Sequence, residues 1–317
     1  MIRDILDSVY ESLVDEHAGE VANYIPQLGE ADPSHFGIAL ATMDGKVFSV
    51  GDTSVPFTIQ SMSKPFTFAL ALTELGVDKV YEHTSVEPSG DDFNSVVLDE
   101  NRLPFNPMVN AGAISMTGLL CSVYGDDTFA YIHEAYNKLA GEELGIDRGV
   151  FKSELANADR NRAIAHLMHG AGVIGDVDQV VETYTRQCSI LVTTEQLAAM
   201  ATTVANMGMN PKTHETVLDP LAVRNTLSVM FTCGMYNYSG HWAVEVGLPA
   251  KSGVSGGVFA VVNRQLGVAT YSPKLDARGN SVRGIQVCTQ LAEELGLNAF
   301  ELANMGSSLL DIYLRDD

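Results

Sequence analysis

Residues 60–66 have the sequence Gln60-Ser61-Met62-Ser63-Lys64-Pro65-Phe66, in which a serine precedes a lysine by three positions. The residues before it, Val55 to Ile59, are typical of the end of a short strand, and the apolar run from Phe66 to Gly76 predicts a helix that ends at this glycine. We therefore expect Ser61 to cap a helix at a strand-to-helix junction. Lys64 would follow one turn later, with both side chains facing one cleft. An amine in that place can remove the proton of the hydroxyl.

A second short motif, Lys251-Ser252-Gly253, opens a predicted hairpin near the other end of the chain. Ser-x-x-Lys followed by Lys-Thr-Gly is the signature of penicillin-binding proteins and β-lactamases, and Ser252 keeps a hydroxyl in the second motif. Either motif alone can arise by chance, in which case the serine is only a helix cap and the lysine is solvated. The two together favour an enzyme that forms an acyl intermediate on a serine.

The composition indicates a globular protein, because 46% of its 317 residues are apolar. Forty acidic against 19 basic residues give a formal charge of −21, which disfavours binding to nucleic acids and anionic membranes. The sequence has no long uncharged apolar stretch and no export signal at its start, so we expect a cytoplasmic protein. Its acidity is typical of an ordinary cytosolic surface or, alternatively, of tolerance to high salt.

Neither a metal nor a cofactor is predicted. The four cysteines are widely spaced and form no Cys-x-x-Cys pair, which indicates buried thiols rather than a zinc site or a disulfide scaffold. The eight histidines form no His-Glu-x-x-His motif.

Predicted strands lie at both ends of the chain, with helices between them. We expect an α/β fold of the α+β type, in which one mainly antiparallel sheet, built from both chain ends, is flanked by helices and carries an inserted helical lobe. The whole chain, 1–317, would be a single catalytic module, with a sheet lobe (1–60 and 233–317), a mainly helical lobe (61–232) and the active site between them. The predicted elements are a helix within 3–18, a hairpin of 35–42 and 46–50, strands at 243–246, 257–262 and 266–271, and a helix over about 281–296.

The segments around and between the two motifs resemble the serine-dependent glutaminases of bacteria and kidney. Matching stretches run in order from residue 24 to residue 254, and Gly279-Asn280-Ser281-Val282 extends the resemblance towards the end of the chain. The resemblance implies a β-lactamase-like fold, hydrolysis of L-glutamine to L-glutamate and ammonia, and a homodimer or homotetramer. Phe105 departs from the family pattern, which often has histidine there. The longest matching stretches are Tyr24 to Leu28, Asn106 to Ile114 and Gly247 to Val254.

The resemblance also implies catalytic roles. Ser61 would be the nucleophile and Lys64 its base, while Tyr236 would relay a proton to ammonia or activate the deacylating water. A base must be neutral part of the time, and burial beside Lys251 would lower the pKa of Lys64 in that direction. A protonated Lys64 that holds the serine electrostatically is the alternative. The backbone N–H groups of Ser61 and Val254 would form the oxyanion hole.

The remaining family positions imply contacts to the substrate. Glu154 would pair with the α-ammonium group, and Asn110, Asn161, Tyr184 and Tyr24 would supply neutral donors and acceptors. Gln60, Lys251, Ser252 and Gly253 would support the site. Gly256 and Gly257 predict either a close approach of the backbone to a ligand or a turn at the strand start. The loop from Glu87 to Asn94 is a predicted lid.

Two other functions are compatible with the motifs. The first is a β-lactamase or D,D-peptidase, although a convincing Ser-Asp-Asn or Tyr-x-Asn element is not evident. The second is a protein that binds glutamine as a sensor without turning it over, since a fold does not guarantee activity.

Overall fold

The computed structural model describes residues 2–90 and 94–301. Its strands are β1 (Glu20–Val21), β2 (Gly37–Thr42), β3 (Val47–Gly51), β4 (Phe57–Thr58), β5 (Leu191–Val192), β6 (Ala250–Ser252), β7 (Gly257–Val262), β8 (Leu266–Tyr271) and β9 (Lys274–Leu275). Its α-helices are α1 (Ile2–Leu13), α2 (Pro26–Gly29), α3 (Ser63–Tyr81), α4 (Asn110–Tyr124), α5 (Thr128–Ala140), α6 (Arg148–Ala156), α7 (Asp159–Gly170), α8 (Val177–Cys188), α9 (Thr194–Ala205), α10 (Pro220–Cys233), α11 (Ser239–Glu245) and α12 (Val282–Leu295).

A five-stranded sheet in the order β3-β2-β8-β7-β6 lies at the centre of the fold. Every neighbouring pair in it is antiparallel. The pairing of β2 with β8, in which Ala39 lies opposite Ala269, joins the two ends of the chain in one sheet. The predicted antiparallel sheet, both of its hairpins and the final helix are therefore confirmed.

Both faces of this sheet are buried. Successive residues of a strand point to opposite faces, so neighbouring residues belong to different core clusters. Ala39 and Phe259 belong to a core cluster that includes α9, whereas Ile38 and Val258 belong to a second cluster with α1 and α12. The sheet is thus sandwiched between helices, which accounts for the mainly apolar composition of strands β7 and β8 and for the burial of all their residues. The helices α3, α5, α10 and part of α4 extend the first core away from the sheet, whereas α7 and α8 form a separate cluster with the rest of α4. Within the first core, α3 packs against both α4 and α10. The division into two lobes stays a prediction.

One element prediction was wrong. Residues 243–246 do not form a strand, since α11 runs from Ser239 to Glu245. Trp242 and Val246 are buried while Val244 is 80% exposed, which is the spacing of a helix rather than the alternation of a strand. The predicted end of the first apolar helix at Gly76 is confirmed, because Gly76 leaves the helical conformation at φ 77° and ψ 165°; a second helical segment of α3 follows it directly and runs to Tyr81.

Two further features bear on the predictions. Residues 91–93 of the predicted lid lie outside the described residues. Among the residues that the structure describes, no helix combines the length and apolar character needed to cross a membrane.

Candidate active site

Ser61 lies on a single 3₁₀ turn, Gln60–Met62, that connects β4 to α3. The strand-to-helix junction is confirmed, but the capping role was wrong, because α3 begins at Ser63 and Met62 occupies its N-cap position without a side-chain cap. Gln60 has a φ of 48°, which lies in the left-handed region that residues other than glycine rarely adopt. The strained residue turns the chain immediately before Ser61, whose side chain stays half-buried.

Lys64 is 1% exposed, and its Nζ donates a hydrogen bond of 2.6 Å to Oδ1 of Asn110, the first residue of α4. Burial lowers the pKa of the Lys64 amine from its ordinary 10.5 to about 7. A substantial fraction of this amine is therefore neutral near pH 7. Lys64 has the protonation behaviour that a general base requires.

Tyr236 follows α10 on a second 3₁₀ turn, with a φ of 53°. Its hydroxyl is hydrogen-bonded to Ser61, and this bond lowers its pKa while burial raises it by more. Lys251 Nζ lies 3.7 Å from the centre of the Tyr236 ring and Lys64 Nζ lies 5.5 Å from it. Tyr236 therefore contacts the serine, and both lysine amines lie near its ring.

Lys251 is fully buried on β6, and its Nζ donates to the backbone carbonyl of Ser252 at 2.9 Å. Burial, and secondarily the charge of Lys64, lower its pKa well below the ordinary value. The charge of Lys64 acts on Lys251, whereas the lowered pKa of Lys64 itself is caused by its removal from water and not by the Lys251 charge that the sequence predicted.

Glu154 on α6 accepts hydrogen bonds from Tyr24 Oη at 2.7 Å and from Gln60 Nε2 at 3.2 Å. Both bonds go to the same carboxylate oxygen, Oε1. Burial raises the pKa of the Glu154 carboxyl, and the two hydrogen bonds act in the opposite direction. Glu154 is thus held in a fixed orientation, and one of its partners, Gln60, is the neighbour of Ser61 in the chain. Within the described residues, both hydrogen bonds use Oε1 and none uses Oε2.

Three neutral side chains lie next to Lys64. Asn110 Nδ2 donates to Asn161 Oδ1 at 3.1 Å, and the Tyr184 hydroxyl donates to Asn110 Oδ1 at 3.4 Å. Asn110 therefore connects Lys64 with Asn161 at the start of α7 and Tyr184 on α8. The structure brings these residues, predicted as substrate contacts, into one hydrogen-bonded group.

The hairpin of β6 and β7 packs directly on the Ser61 turn. A Cβ at Gly257 would lie 2.3 Å from Met62 Cε, and Gly256 has a φ of 100°. Gly256 forms the predicted turn, whereas Gly257 lies against the Met62 side chain, so the predicted approach of this backbone to a ligand stays a prediction. Val254 lies between Gly253 and these glycines, half-buried against a small apolar cluster of Ile25, Leu28 and Val150.

A cavity of about 1050 Å³ opens beside Tyr236 and Val254. Charged side chains also line it, among them Arg160, Arg278 and Asp276. Of the predicted site residues, Tyr236 and Val254 line this cavity, whereas Ser61, Lys64 and Glu154 do not, so the cavity adjoins the group around Ser61 rather than enclosing it. No three of the His, Cys, Asp and Glu side chains within 2–90 and 94–301 are grouped so as to hold a metal ion.

The sequence did not predict two polar contacts near the site. Cys188 Sγ lies 3.8 Å from Ser63 Oγ, and its pKa is raised by burial to about 11, so it is a protonated thiol. Asn280 contacts Ser252 within the second motif. The chain position of neither residue signals this, because both contacts join segments far apart in sequence.

The profile of the glutaminase family matches residues 19–300. Glutaminase 1 of Bradyrhizobium diazoefficiens is 52% identical over 294 residues, which cover 92% of this chain and 48% of that protein. The glutaminase of Trichormus variabilis is 47% identical over 298 residues, covering 93% of this chain and 88% of that one. The chain spans about half the length of the Bradyrhizobium diazoefficiens relatives that it matches.

Comparison with solved structures also finds glutaminases. Probable glutaminase ybaS superposes with a TM-score of 0.92 at 39% identity, covering 95% of this chain and 98% of that chain. Mglu in its glutamate form gives a TM-score of 0.89 at 41% identity, and the superposition covers 94% of this chain and 69% of that chain. These matches confirm the predicted β-lactamase-like fold class. With the family profile and the identities above, they establish that the chain belongs to the glutaminase family.

Proposed function

We propose that this protein hydrolyses the side-chain amide of L-glutamine, giving L-glutamate and ammonia through an acyl intermediate on Ser61. The observation that carries the proposal is the buried Lys64 amine, whose pKa of about 7 leaves it partly neutral one helical turn from Ser61. An unactivated amide needs a strong nucleophile, and a neutral amine nearby can create one from a serine hydroxyl.

In the acylation step, Ser61 Oγ attacks the amide carbon while Lys64 accepts the hydroxyl proton. The backbone N–H groups of Ser61 and Val254 would donate to the carbonyl oxygen as it becomes negative, each such donor contributing about 3 kcal/mol to the transition state. The carbon–nitrogen bond then breaks. The proton held by Lys64 passes through the Tyr236 hydroxyl to the leaving nitrogen, which departs as ammonia.

In the deacylation step, a water molecule attacks the acyl carbon and gives its proton to Lys64 through Tyr236. Ser61 recovers its proton as the ester bond breaks, which releases L-glutamate and restores the enzyme. The hydrogen bond between Tyr236 and Ser61 supports this relay. Partial burial raises the Tyr236 pKa, which suits a relay rather than a free base. A Lys64 that stays protonated and acts only by its charge is the competing mechanism.

Recognition of the amino acid would rest on Glu154 and the amides beside Lys64. Glu154 is oriented by Tyr24 and Gln60, and its free carboxylate oxygen can pair with the α-ammonium group. Asn110, Asn161 and Tyr184 can donate to the α-carboxylate. The relative described as Mglu in its glutamate form supports binding of the product in such a site.

A β-lactamase or peptidase and a silent glutamine sensor are the alternative functions. A chromogenic β-lactam assay tests the first. The second would give thermal stabilisation by glutamine without release of ammonia, whereas the buried Lys64 has no evident purpose in a sensor. We also propose the two-lobe organisation and a homodimer or homotetramer, which the family resemblance supports.

The proposal is tested by ammonia release from L-glutamine in Ser61→Ala and in the matched variant Ser54→Ala, whose serine is exposed. Ser61→Ala should lower kcat by about 10³-fold or more, because no other group supplies the nucleophile. Ser54→Ala should match the unmodified protein. Turnover retained in Ser61→Ala, with its melting temperature unchanged, would remove Ser61 as the nucleophile.

A further inference from the structure

The loop between β9 and α12 is held in one conformation by its own hydrogen bonds. Asp276 Oδ1 accepts from the backbone N–H groups of Arg278 at 2.8 Å and Asn280 at 2.9 Å. The Asp276 N–H in turn donates to the Asn280 carbonyl at 2.8 Å. Residues 276–279 line the same cavity as Tyr236 and Val254. Asn280 therefore projects from a fixed loop at the edge of the candidate active site.

The Asn280 side chain points inward rather than into this cavity. It is 1% exposed, and its Oδ1 accepts a hydrogen bond of 2.6 Å from Oγ of Ser252, which is itself fully buried. Its Nδ2 has no hydrogen-bond partner among the described residues. A buried amide with one short bond and an unsatisfied donor costs stability, so packing alone does not account for an asparagine at this position.

Ser252 connects this amide to the catalytic group. Its carbonyl accepts the 2.9 Å hydrogen bond from Lys251 Nζ, and Lys251 Nζ lies 3.7 Å from the centre of the Tyr236 ring. Lysine has a long and flexible side chain, and in the described residues this carbonyl is the one hydrogen-bond acceptor of Lys251 Nζ. The orientation of the Ser252 peptide thus determines where the Lys251 amine lies beneath Tyr236.

The start of α12 fixes the position of Asn280. Ser281 caps α12 by accepting from the Gly284 N–H, and its hydroxyl donates to the Ser272 carbonyl at 2.7 Å. Asn280 cannot shift without disturbing both the helix start and the end of β8. Such a rigid anchor is what a preorganised site requires behind its reacting groups.

We propose that Asn280 is a positioning residue for the reaction: it holds Ser252, and through Ser252 it holds Lys251 against Tyr236. This inference rests on the proposed function, because it assigns Tyr236 a part in proton transfer. Among the described residues, the Asn280 side chain has Ser252 as its hydrogen-bond partner, so it would act through Ser252 and not on the reacting atoms.

The test is steady-state glutamine hydrolysis by Asn280→Ala, Ser252→Ala and the double variant. Each single change should lower kcat by about 10- to 100-fold, the loss that follows small displacements in a site, and KM should change by less than about threefold. The double variant should lose no more than the worse single variant, because both changes break one connection. Losses that multiply in the double variant would overturn the proposal, as would an Asn280→Ala enzyme with unchanged kcat.

Asn210→Ala is the matched control. Asn210 is also 1% exposed and also fixes a loop, but its Nδ2 donates to the Lys138 and Leu139 carbonyls, outside the candidate site. Both asparagine variants should melt at lower temperature, and only Asn280→Ala should lose kcat when assayed well below its melting temperature. Equal losses of kcat in the two would overturn the proposal and show general damage to the fold. Ser61→Ala in the same assay separates this outcome from a failure of the proposed function, since retained turnover there would remove the serine mechanism itself.

Discussion

At the scale of single residues, the site depends on two lysines that the fold removes from water. Lys64 and Lys251 are 1% and 0% exposed, and both lie within 5.5 Å of the centre of the Tyr236 ring. Each ammonium group loses its solvation on burial, so the neutral form is favoured. Burial thus gives the Lys64 amine the pKa that the proposed base needs near neutral pH, which an exposed lysine would not have.

The pH dependence of the reaction follows from this burial. Because the pKa of Lys64 is lowered to about 7, the fraction of neutral base grows as pH rises through that value. We expect kcat/KM to increase with pH on a limb centred near 7 and to level above it. Ammonia release measured between about pH 5.5 and 9 checks this. The rising part of this pH profile should move to lower pH on warming, because deprotonation of an amine absorbs more heat than deprotonation of a carboxylic acid. A rate that is constant from about pH 6 to 8, or that falls, would support the protonated Lys64 instead.

Tyr24 provides a test of how Glu154 is oriented. Its hydroxyl donates to Glu154 at 2.7 Å, although 54% of the tyrosine is exposed. Tyr24→Phe should raise KM for glutamine by about 3- to 10-fold, since a hydrogen bond to a charged group is lost, and should change kcat less. Tyr131→Phe is the matched control, because its hydroxyl also donates to a glutamate, Glu74, at 2.7 Å. An unchanged KM in Tyr24→Phe would show that Glu154 does not need this partner.

Residue types could be predicted from the sequence more readily than their contacts. Ser61, Lys64 and Glu154 were found from a local motif and a family resemblance. The bonds from Lys64 to Asn110 and from Ser252 to Asn280 join positions 46 and 28 residues apart. Such contacts depend on how helices and strands pack, which no local pattern encodes.

At the scale of elements, the site is assembled by close approaches between backbones. The third residue of α4 is Gly112, where a Cβ would lie 2.0 Å from the Asn106 carbonyl oxygen. This contact sets the start of α4, and the first residue of that helix, Asn110, holds the Lys64 amine. Gly112 therefore allows the close packing that places Asn110 beside the Lys64 amine.

Gly112→Ala should lower the free energy of unfolding by roughly 1–3 kcal/mol, because the backbone of residues 106–107 must move away. It should also reduce kcat through displacement of Asn110. Gly240→Ala in α11 is the control, since a Cβ there meets nothing within 4 Å and stability should stay unchanged or rise by up to about 1 kcal/mol. Denaturant unfolding measures both. Equal stability in the two variants would contradict the role of the close approach.

Elements with clear local signals could be predicted, several of them with their ends. The strands predicted at 257–262 and 266–271 coincide with β7 and β8, and the helix predicted over about 281–296 is Val282–Leu295. Residues 243–246 are too few to separate a period of 2 from one of 3.6, and tertiary packing of Trp242 and Val246 decides for a helix. Gly76 ends a helical segment as predicted, but the second segment that follows it directly has no comparable signal.

At the scale of the whole molecule, the excess of acidic residues is the dominant feature. The formal charge is −21, and the described surface ion pairs, such as Lys79 with Glu82, have exposed side chains on both partners. Exposed pairs of this kind contribute little to stability. Mutual repulsion among carboxylates should therefore outweigh them in the response to salt.

We expect the melting temperature to rise between about 10 mM and 500 mM NaCl, because salt screens this repulsion. Differential scanning fluorimetry measures it. The rise should become smaller as the pH approaches the isoelectric point near 4.6, where the net charge vanishes. A melting temperature that falls with salt at pH 7 would show that attractive ion pairs dominate instead.

The architecture could be predicted at this scale because strands near both ends, with helices between, leave few ways to build one sheet. It could not be predicted that α9 would cover one face of that sheet and α1 and α12 the other. It depends on which side of β2 and β7 each alternate residue faces, and both sides are apolar. Strands buried on two faces lose the alternation that would reveal their orientation.

The central claim is that Ser61 carries the acyl group, and covalent trapping tests it most directly. The protein would be incubated with a glutamine analogue that has an electrophile in place of its side-chain amide, and the adduct would be mapped by mass spectrometry of peptides. We predict one adduct per chain on Ser61, absent from Ser61→Ala and present in Ser54→Ala. An adduct on any other residue, or undiminished labelling of Ser61→Ala, would contradict the mechanism.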